Sequence, residues 1–402
     1  MKCPVRPRRS DFTRLRGYTL VEMLVATALT LVLILAVAEI FSRIGRTVND
    51  TRATLETMDQ LRGVAAKLQK DLEGHTCPPM PPCRPDDGSG YIEIIEGAYY
   101  DNHSVAAPGA ISVDSDSGGT ADTTVGDPDD IVMLTTRTTS QPFVGLYNSN
   151  PVESDVAEVA WFIRGNVLYR RVLLVLPGGT GMPLDYNSPG PGADYNEFYD
   201  VSARTDKSKI YPNTLGDLTK REWRYGHSTT FPFSVNWGAA RLPTLSESTR
   251  GWPDAISVSP PSYPMDYWRQ QPSFGSNPRA TEDVMLTNVI GFDVKVWDSG
   301  AGTYVDIGGP AAVTMTGNGL VYDTWSLHYE HNGIDEDGVA GADQGTNDFD
   351  DNSDGVIDDI GERETMPFYP VPLRGIQVKI RVFEPDSRQI REVTVVQDFL
   401  PK

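Results

Sequence analysis

Near the C-terminus, oxygen-bearing side chains recur at alternate positions: Asp350, Asn352 and Asp354, then Asp358 beyond Gly355 and Val356. Hard divalent cations are held by six to eight oxygens, and alternate positions of a tight loop can aim theirs at one ion. Gly355 would permit the sharp turn, and Val356 would add its backbone carbonyl. The pattern predicts a structural calcium ion. From Asp335 to Glu362 there are eleven acidic residues and no Lys or Arg. Left to themselves they repel, at about 1 kcal/mol for each close pair near a screened surface. Two details break the pattern. Gly361 stands where a bidentate Glu belongs, with Glu362 one residue late, and the upstream echo Asp335-Glu336-Asp337-Gly338 has Gly333 in its first ligand position. A solvated acidic loop is the competing reading.

Other reactive groups are few. Of three cysteines, Cys3 lies in a basic tip, and Cys77 and Cys83 bracket the run Pro78-Pro79-Met80-Pro81-Pro82. Outside the cytoplasm such a pair reads as a disulfide closing a short loop. Two reduced thiols, or a zinc site with His75, are the competing readings. The five histidines (His75, His103, His227, His328, His331) show no metalloprotease spacing, although His328 and His331 border the acidic run. No nucleophile elbow, phosphate loop or dinucleotide fingerprint is present, so no enzyme is expected. A formal net charge of −20 argues against nucleic-acid partners, which require excess cationic side chains.

That charge is unevenly spread. Residues 1–17 set six Lys and Arg against Asp11, a net of +5, which leaves −25 on the remainder. A basic tip on an acidic body is the asymmetry of a chain whose tip stays in the cytoplasm. After the tip come Gly17-Tyr18-Thr19-Leu20-Val21-Glu22 and an apolar run from Met23 to Ala38. No small-x-small cleavage site follows at Ala38, and a carboxylate stands at the mouth of the apolar run, where it costs about 2.5–3.5 kcal/mol unless partnered. This stretch resembles the class III signal of type IV pilins and type II secretion pseudopilins. The resemblance implies cleavage after Gly17, N-methylation of Tyr18 by a prepilin peptidase/N-methyltransferase, and an assembly role for Glu22. Tyr18 replaces the usual Phe and keeps the ring. The EF-hand-type calcium loop is likewise resembled by Asp350–Asp358 in its first nine positions, without evident flanking helices.

Those sites need elements to carry them. Ile44, Val48, Leu55, Met58, Leu61, Ala65, Leu68 and Leu72 recur mostly at three- and four-residue steps, which extends the apolar run into an amphipathic helix. Gly74, Pro78 and Pro79 end it. From Tyr18 to Glu73 it would span on the order of 80–85 Å. The expected division is a leader at 1–17, a transmembrane half at 18–40, an amphipathic half at 41–75, and a β-rich body at 76–402. Within the body, Ala157–Ile163 and Val167–Leu176 flank Arg164-Gly165-Asn166 as a hairpin. Val284–Trp297 is strand-rich. Ile376, Val378, Ile380 and Val382 alternate with polar residues before a return through Ile390–Phe399. The fold class is α+β, a long helix packed on antiparallel sheet. Residues 178–280, rich in Pro, Gly and aromatics, and the polar stretch 101–128 read as insertions, and 332–362 as the acidic segment. Aromatics such as Trp223, Trp237, Trp252 and Trp268 would pin such loops to the core, binding of a glycan or a secreted substrate being the competing reading.

Three places are similar to the J-type (PilW-like) minor pseudopilins: Leu68-Gln69-Lys70-Asp71-Leu72 near the helix end, Trp161-Phe162 with Leu168-Tyr169-Arg170-Arg171, and the closing strand pair. The chain is longer than a typical member. The resemblance implies a subunit near the tip of a periplasmic pseudopilus. It would be anchored by one pass in the inner membrane, N-terminus cytoplasmic and body periplasmic, with other minor and major pseudopilins as partners. A minor pilin of a type IV pilus and a membrane-anchored calcium-binding surface protein are the alternatives. Gly17→Trp should block leader removal, while Glu22→Ala should leave it intact and impair assembly. Mass spectrometry of the N-terminus, with and without a co-expressed prepilin peptidase, reads the cleavage.

Overall fold

The computed structural model describes residues 18–96, 127, 130–164, 166–176, 198–206, 209–225, 227, 282–317, 319–339, 341–385 and 387–399. Gly17, nearly all of 101–128 and most of 178–280 lie outside them. The chain divides into two compact units, residues 1–56 and 57–402.

The first unit is helical where described. Helix α1 (Leu20–Glu73) starts there and continues into the second. Its stretch Leu20–Gly45 is long and apolar enough to cross a membrane. At about 1.5 Å per residue it exceeds the ~30 Å hydrocarbon layer. Large apolar side chains such as Leu24, Leu35 and Phe41 are exposed along it, and so are Ile44, Val48 and Leu55.

In the second unit, α1 from Thr57 onward lies on a β body. The strands are β1 (Ile92–Ile95), β2 (Ile131–Arg137), β3 (Phe143–Tyr147), β4 (Asn150–Ser154), β5 (Val156–Arg164), β6 (Val167–Val175), β7 (Ala203–Asp206), β8 (Lys209–Pro212), β9 (Glu282–Thr287), β10 (Val289–Asp298), β11 (Thr303–Val305), β12 (Val321–Asp323), β13 (Gly375–Glu384) and β14 (Gln389–Asp398). Six form an antiparallel sheet in the order β12-β1-β2-β5-β6-β9, and four a second sheet, β11-β10-β13-β14. β3-β4 and β7-β8 are separate hairpins. The α+β architecture read from the sequence is the one observed. Arg164 pairs Val167 across the expected two-residue turn. Along β13, Ile376, Val378, Ile380 and Val382 are buried while Gln377, Lys379 and Arg381 are less so, the period-two pattern of a sheet with one covered face.

The cover is the helix. Leu61, Val64, Leu68 and Leu72 join one core with side chains of both sheets, among them Val159, Leu168, Val378 and Ile380. Val64 replaces the expected Ala65 at the centre of the stripe, and Ala65 packs at its edge. Polar contacts mark the helix's course: the Thr57 hydroxyl donates to Glu384, and Gln69 donates to Gln397 at 2.6 Å. At its end the Gly74 carbonyl accepts from Arg137 N–H at 2.7 Å. A Cβ on Gly74 would stand 2.4 Å from the Arg137 carbonyl oxygen, so glycine here serves close backbone approach as well as termination.

The described part of the long insertion is held by side chains in the core, among them Tyr199, Leu218 and Tyr225, and by buried ions. Glu93 of β1 and Asp323 of β12 face each other in register, an unfavourable like-charge pair. Arg221 and Arg224 bridge them: Arg221 reaches Glu93 at 2.9 Å and Asp323 at 2.8 Å, Arg224 reaches Glu93 at 3.0 Å and Asp323 at 2.8 Å. His227 meets Glu93 at 2.9 Å, and all five side chains are fully buried. Burial opposes charge on Glu93, yet His227, Arg221 and Arg224 together hold its carboxyl well below the usual range. Burial likewise keeps the His227 ring below its ordinary pKa. Trp223 stacks instead on Lys220 and Arg204, at 3.9 and 4.5 Å from its ring centre.

Candidate functional site

The N-terminal determinants sit at the start of α1. Tyr18 is exposed, and Thr19 precedes the first helical turn. Glu22 folds back on Thr19: its carboxylate accepts from Thr19 N–H at 2.9 Å and from the Thr19 hydroxyl at 3.0 Å, while Glu22 N–H donates to that hydroxyl at 3.2 Å. This is a capping box, which satisfies amide donors that a helix start leaves open. The signal Thr-x-x-Glu stands in the sequence at 19–22. In the single chain, then, Glu22 closes its own helix, and its carboxylate is held at the mouth of the apolar run.

The opposite end of α1 carries a buried acid. Asp71 interrupts the apolar stripe between Leu68 and Leu72 and is 3% exposed, as is Arg170 of β6. Arg170 Nε donates to Asp71 Oδ2 at 2.6 Å and Nη2 to Oδ1 at 2.9 Å, a bidentate pair. Trp161 Nε1 of β5 donates to the same Oδ2 at 3.0 Å. Thr136 of β2 donates from its hydroxyl to the Asp71 carbonyl at 2.8 Å. A buried charge requires such complete pairing, since each ion costs several kcal/mol to desolvate. The sequence holds these residues in two separate patterns, and the structure joins them in one contact. Periodicity alone contains the signal, because Asp71 occupies a helical position whose neighbours one turn away are buried.

Cys77 and Cys83 are buried thiols with their sulfurs 3.1 Å apart. The loop between them runs against the end of β12: Cys83 N–H donates to the Trp325 carbonyl at 2.8 Å, and Leu373 N–H to the Pro79 carbonyl at 2.8 Å. His75 turns elsewhere, with Nδ1 2.9 Å from the Leu72 carbonyl and its ring edge-on to Phe399 at 4.9 Å.

The acidic segment is a tandem repeat. Residues 332–343 and 347–358 are two copies of one turn, offset by fifteen positions. Asn332 and Asn347 each accept from the N–H two residues on, at 2.8 and 2.9 Å, and each donates from Nδ2 to the acid four residues on, Glu336 at 2.6 Å and Asp351 at 2.7 Å. Asp343 and Asp358 close the copies by accepting from Gly333 and Asp348 N–H at 2.9 and 3.0 Å. Left-handed residues recur in step: Gly333 and Asp348, Gly338 and Ser353, Asp343 and Asp358. The upstream echo therefore begins at Asn332, and its frame is the repeat's rather than that of a second ligand loop.

Within the second copy, Asp350 accepts from Asp354 and Gly355 N–H at 3.1 and 2.9 Å, Asn352 Oδ1 from Asp354 N–H at 2.9 Å, and Asp354 from Val356 N–H at 2.8 Å. Gly355 takes φ 93°, the sharp turn expected of it. Glu362, though one residue late, reaches back to Asn352 N–H at 3.1 Å and Asp359 N–H at 3.2 Å, so its carboxylate does belong to the loop. An all-oxygen donor set of this kind suits a hard cation. Among the described residues, however, the acids whose oxygens gather within 4.8 Å of one another are Glu96, Asp127 and Asp130, all buried, and not those of 350–362. Two of that trio serve backbone N–H groups: Asp130 accepts from Val294 at 2.7 Å and Glu96 from Ile307 at 3.2 Å. The trio is scattered across the sequence and carries no local motif.

The prokaryotic N-terminal methylation motif matches residues 13–38, which takes in Gly17, Tyr18 and Glu22. Comparison with curated proteins and with solved structures finds no match. The motif supports a type IV pilin-like or pseudopilin protein and implies processing by a prepilin peptidase and assembly with other pilin-like subunits. The single N-terminal apolar helix fits a single-pass membrane anchor.

Removing one member of the Asp71–Arg170 pair leaves the other buried and unpaired. Asp71→Ala or Arg170→Ala should each destabilise the folded body by about 3–5 kcal/mol. Asp71→Leu combined with Arg170→Met should cost much less than the sum of Asp71→Leu alone and Arg170→Met alone, as measured by urea unfolding of the wild type, these two single variants and the double variant.

Proposed function

We propose that this chain is a minor pseudopilin of a type II secretion system, a structural subunit of the periplasmic pseudopilus tip rather than an enzyme. Its helix spans the inner membrane with the leader cytoplasmic and the β body periplasmic. Prepilin peptidase/N-methyltransferase, then other minor and major pseudopilins, are its partners. The observation that carries this reading is the Asp71 contact: residues belonging to the J-type resemblance, nearly one hundred positions apart, meet at one buried carboxylate. The methylation motif at 13–38 supports the pilin-like part of the reading without choosing a filament. In a host lacking this chain, secretion of type II exoproteins should fall to background while pilus-driven motility persists. Lost motility with intact secretion would assign the chain to a type IV pilus instead.

Two parts of the body complete the proposal. Calcium, held by Asp350, Asn352, Asp354, the Val356 carbonyl, Asp358 and Glu362, would draw the second acidic turn together and relieve carboxylate repulsion before the final hairpin. Chelation should lower the melting temperature of the wild type and leave that of Asp350→Ala/Asp354→Ala unmoved. An unchanged wild-type melting temperature would remove calcium from the account. In the oxidising periplasm Cys77 and Cys83 form a disulfide, closing a loop worth about 2 kcal/mol by chain entropy. A non-reducing peptide map with both thiols free would refute the bond.

A further inference from the structure

A cavity of about 460 Å³ opens between the last turns of α1, strand β3 and strand β6, within the size range of small-ligand sites. Its cations are not equivalent. Arg170 is neutralised by Asp71, and its Nη1 lies 3.8 Å from Asp283. Lys70 donates to the Ser140 hydroxyl at 2.6 Å. Lys67, half-buried on the same helix face, makes no hydrogen bond or ion pair with any described residue. The reason is geometric: both oxygens of Asp71, the acid nearest in sequence on that face, are committed to Arg170 and Trp161. Burial, followed by the Arg170 charge, pulls the Lys67 ammonium below its ordinary pKa. Asp71 and Asp283 offset this only in part, since both lie with Arg170, and an incoming anion would stabilise the Lys67 charge further.

The remaining walls select among anions. Arg137 stands beside Lys67 and Lys70 in the lining, and Phe143 and Val144 give an apolar side. Asp200 lines the cavity as well, with Oδ2 accepting from Leu146 N–H at 2.8 Å. Asp283 is a second carboxylate. These two carboxylates oppose any anion that enters, a dianion twice as strongly as a monoanion. A monoanion flanked by an N–H donor and an apolar group meets cations, acids and the Phe143 side in turn.

We propose that this cavity binds a peptide carboxylate, with Lys67 as its counter-ion and Phe143 and Val144 against the adjoining side chain. The source is either a free chain terminus or an acidic side chain of another polypeptide, and neither depends on which filament the subunit joins. The test uses the full chain in detergent micelles and isothermal titration with three probes: acetyl-Ala-Phe as the free acid, its C-terminal amide, and acetyl-Glu-Phe-amide, with inorganic phosphate as the comparison anion. The free acid or the Glu peptide should bind saturably, and the amide about tenfold more weakly, the worth of one charge-assisted contact. Whichever carboxylate binds more tightly identifies the source. Lys67→Met should weaken that binding about tenfold at an unchanged melting temperature, and Lys67→Arg should largely retain it. An amide that binds as tightly as the tighter of the two carboxylate peptides, an unaffected Lys67→Met, tighter phosphate binding, or no saturable heat with any peptide would each overturn the proposal.

Discussion

Asp71 is buried on the stripe that the helix presents to the sheets, and it is tolerated there because Arg170 and Trp161 complete its hydrogen bonds. Apolar packing alone would leave the helix free to slide or turn by a small step, since leucines accept many neighbours. A bidentate guanidinium accepts one register. With Asp71 fixed to β5 and β6, Gly74 is brought against β2, the chain leaves the helix at a set point, and the 75–91 loop meets the end of β12. The hydrophobic core supplies the driving force, and the ion pair supplies the alignment.

The body handles its negative charge in two ways. Glu93 and Asp323 are fully buried and opposed in register, and two arginines from the insertion neutralise them inside the fold. Between residues 332 and 362 no cationic side chain is present, and the carboxylates instead cap the N–H groups of their own turns. The first arrangement exchanges desolvation for Coulomb attraction at short range. The second keeps most of its charges near water, Glu362 being buried, and directs them to backbone donors that a loop would otherwise leave open.

Legibility in the sequence followed the range of the interactions. The helix from Leu20 to Glu73, the β5–β6 hairpin and the β13–β14 pair show as periods of 3.6 and 2, because each is set by neighbours a few residues away. The β7–β8 hairpin and the trio Glu96, Asp127 and Asp130 were not legible: their partners lie far apart or in segments without periodicity. In the acidic turns, composition and spacing are legible, whereas the repeat is faint: Asn332 and Asn347, Asp335 and Asp350, and Asp343 and Asp358 match, but left-handed positions such as Gly333 and Asp348 or Gly338 and Ser353 differ in residue type. Trp237, Trp252 and Trp268 lie outside the described residues; in the described part Tyr199 and Tyr225 join the core, and Arg221 and Arg224 add ion pairs that composition does not show. A long-range ion pair leaves at most one partner legible in local pattern, as Asp71 is on the helix stripe.

The joint between helix and sheet also has a mechanical character. Tension along α1 would reach the body between Thr57 and Gly74, where the Thr57–Glu384, Gln69–Gln397 and Asp71–Arg170 contacts and the Gly74–Arg137 backbone bond are spread along about five turns. Bonds arranged in this way share a load and must yield together, whereas bonds in series fail one at a time. The geometry is that of a lap joint loaded in shear. Its strength rises with the length of overlap, so shortening the overlap by a single turn would weaken it more than the loss of any one of its bonds.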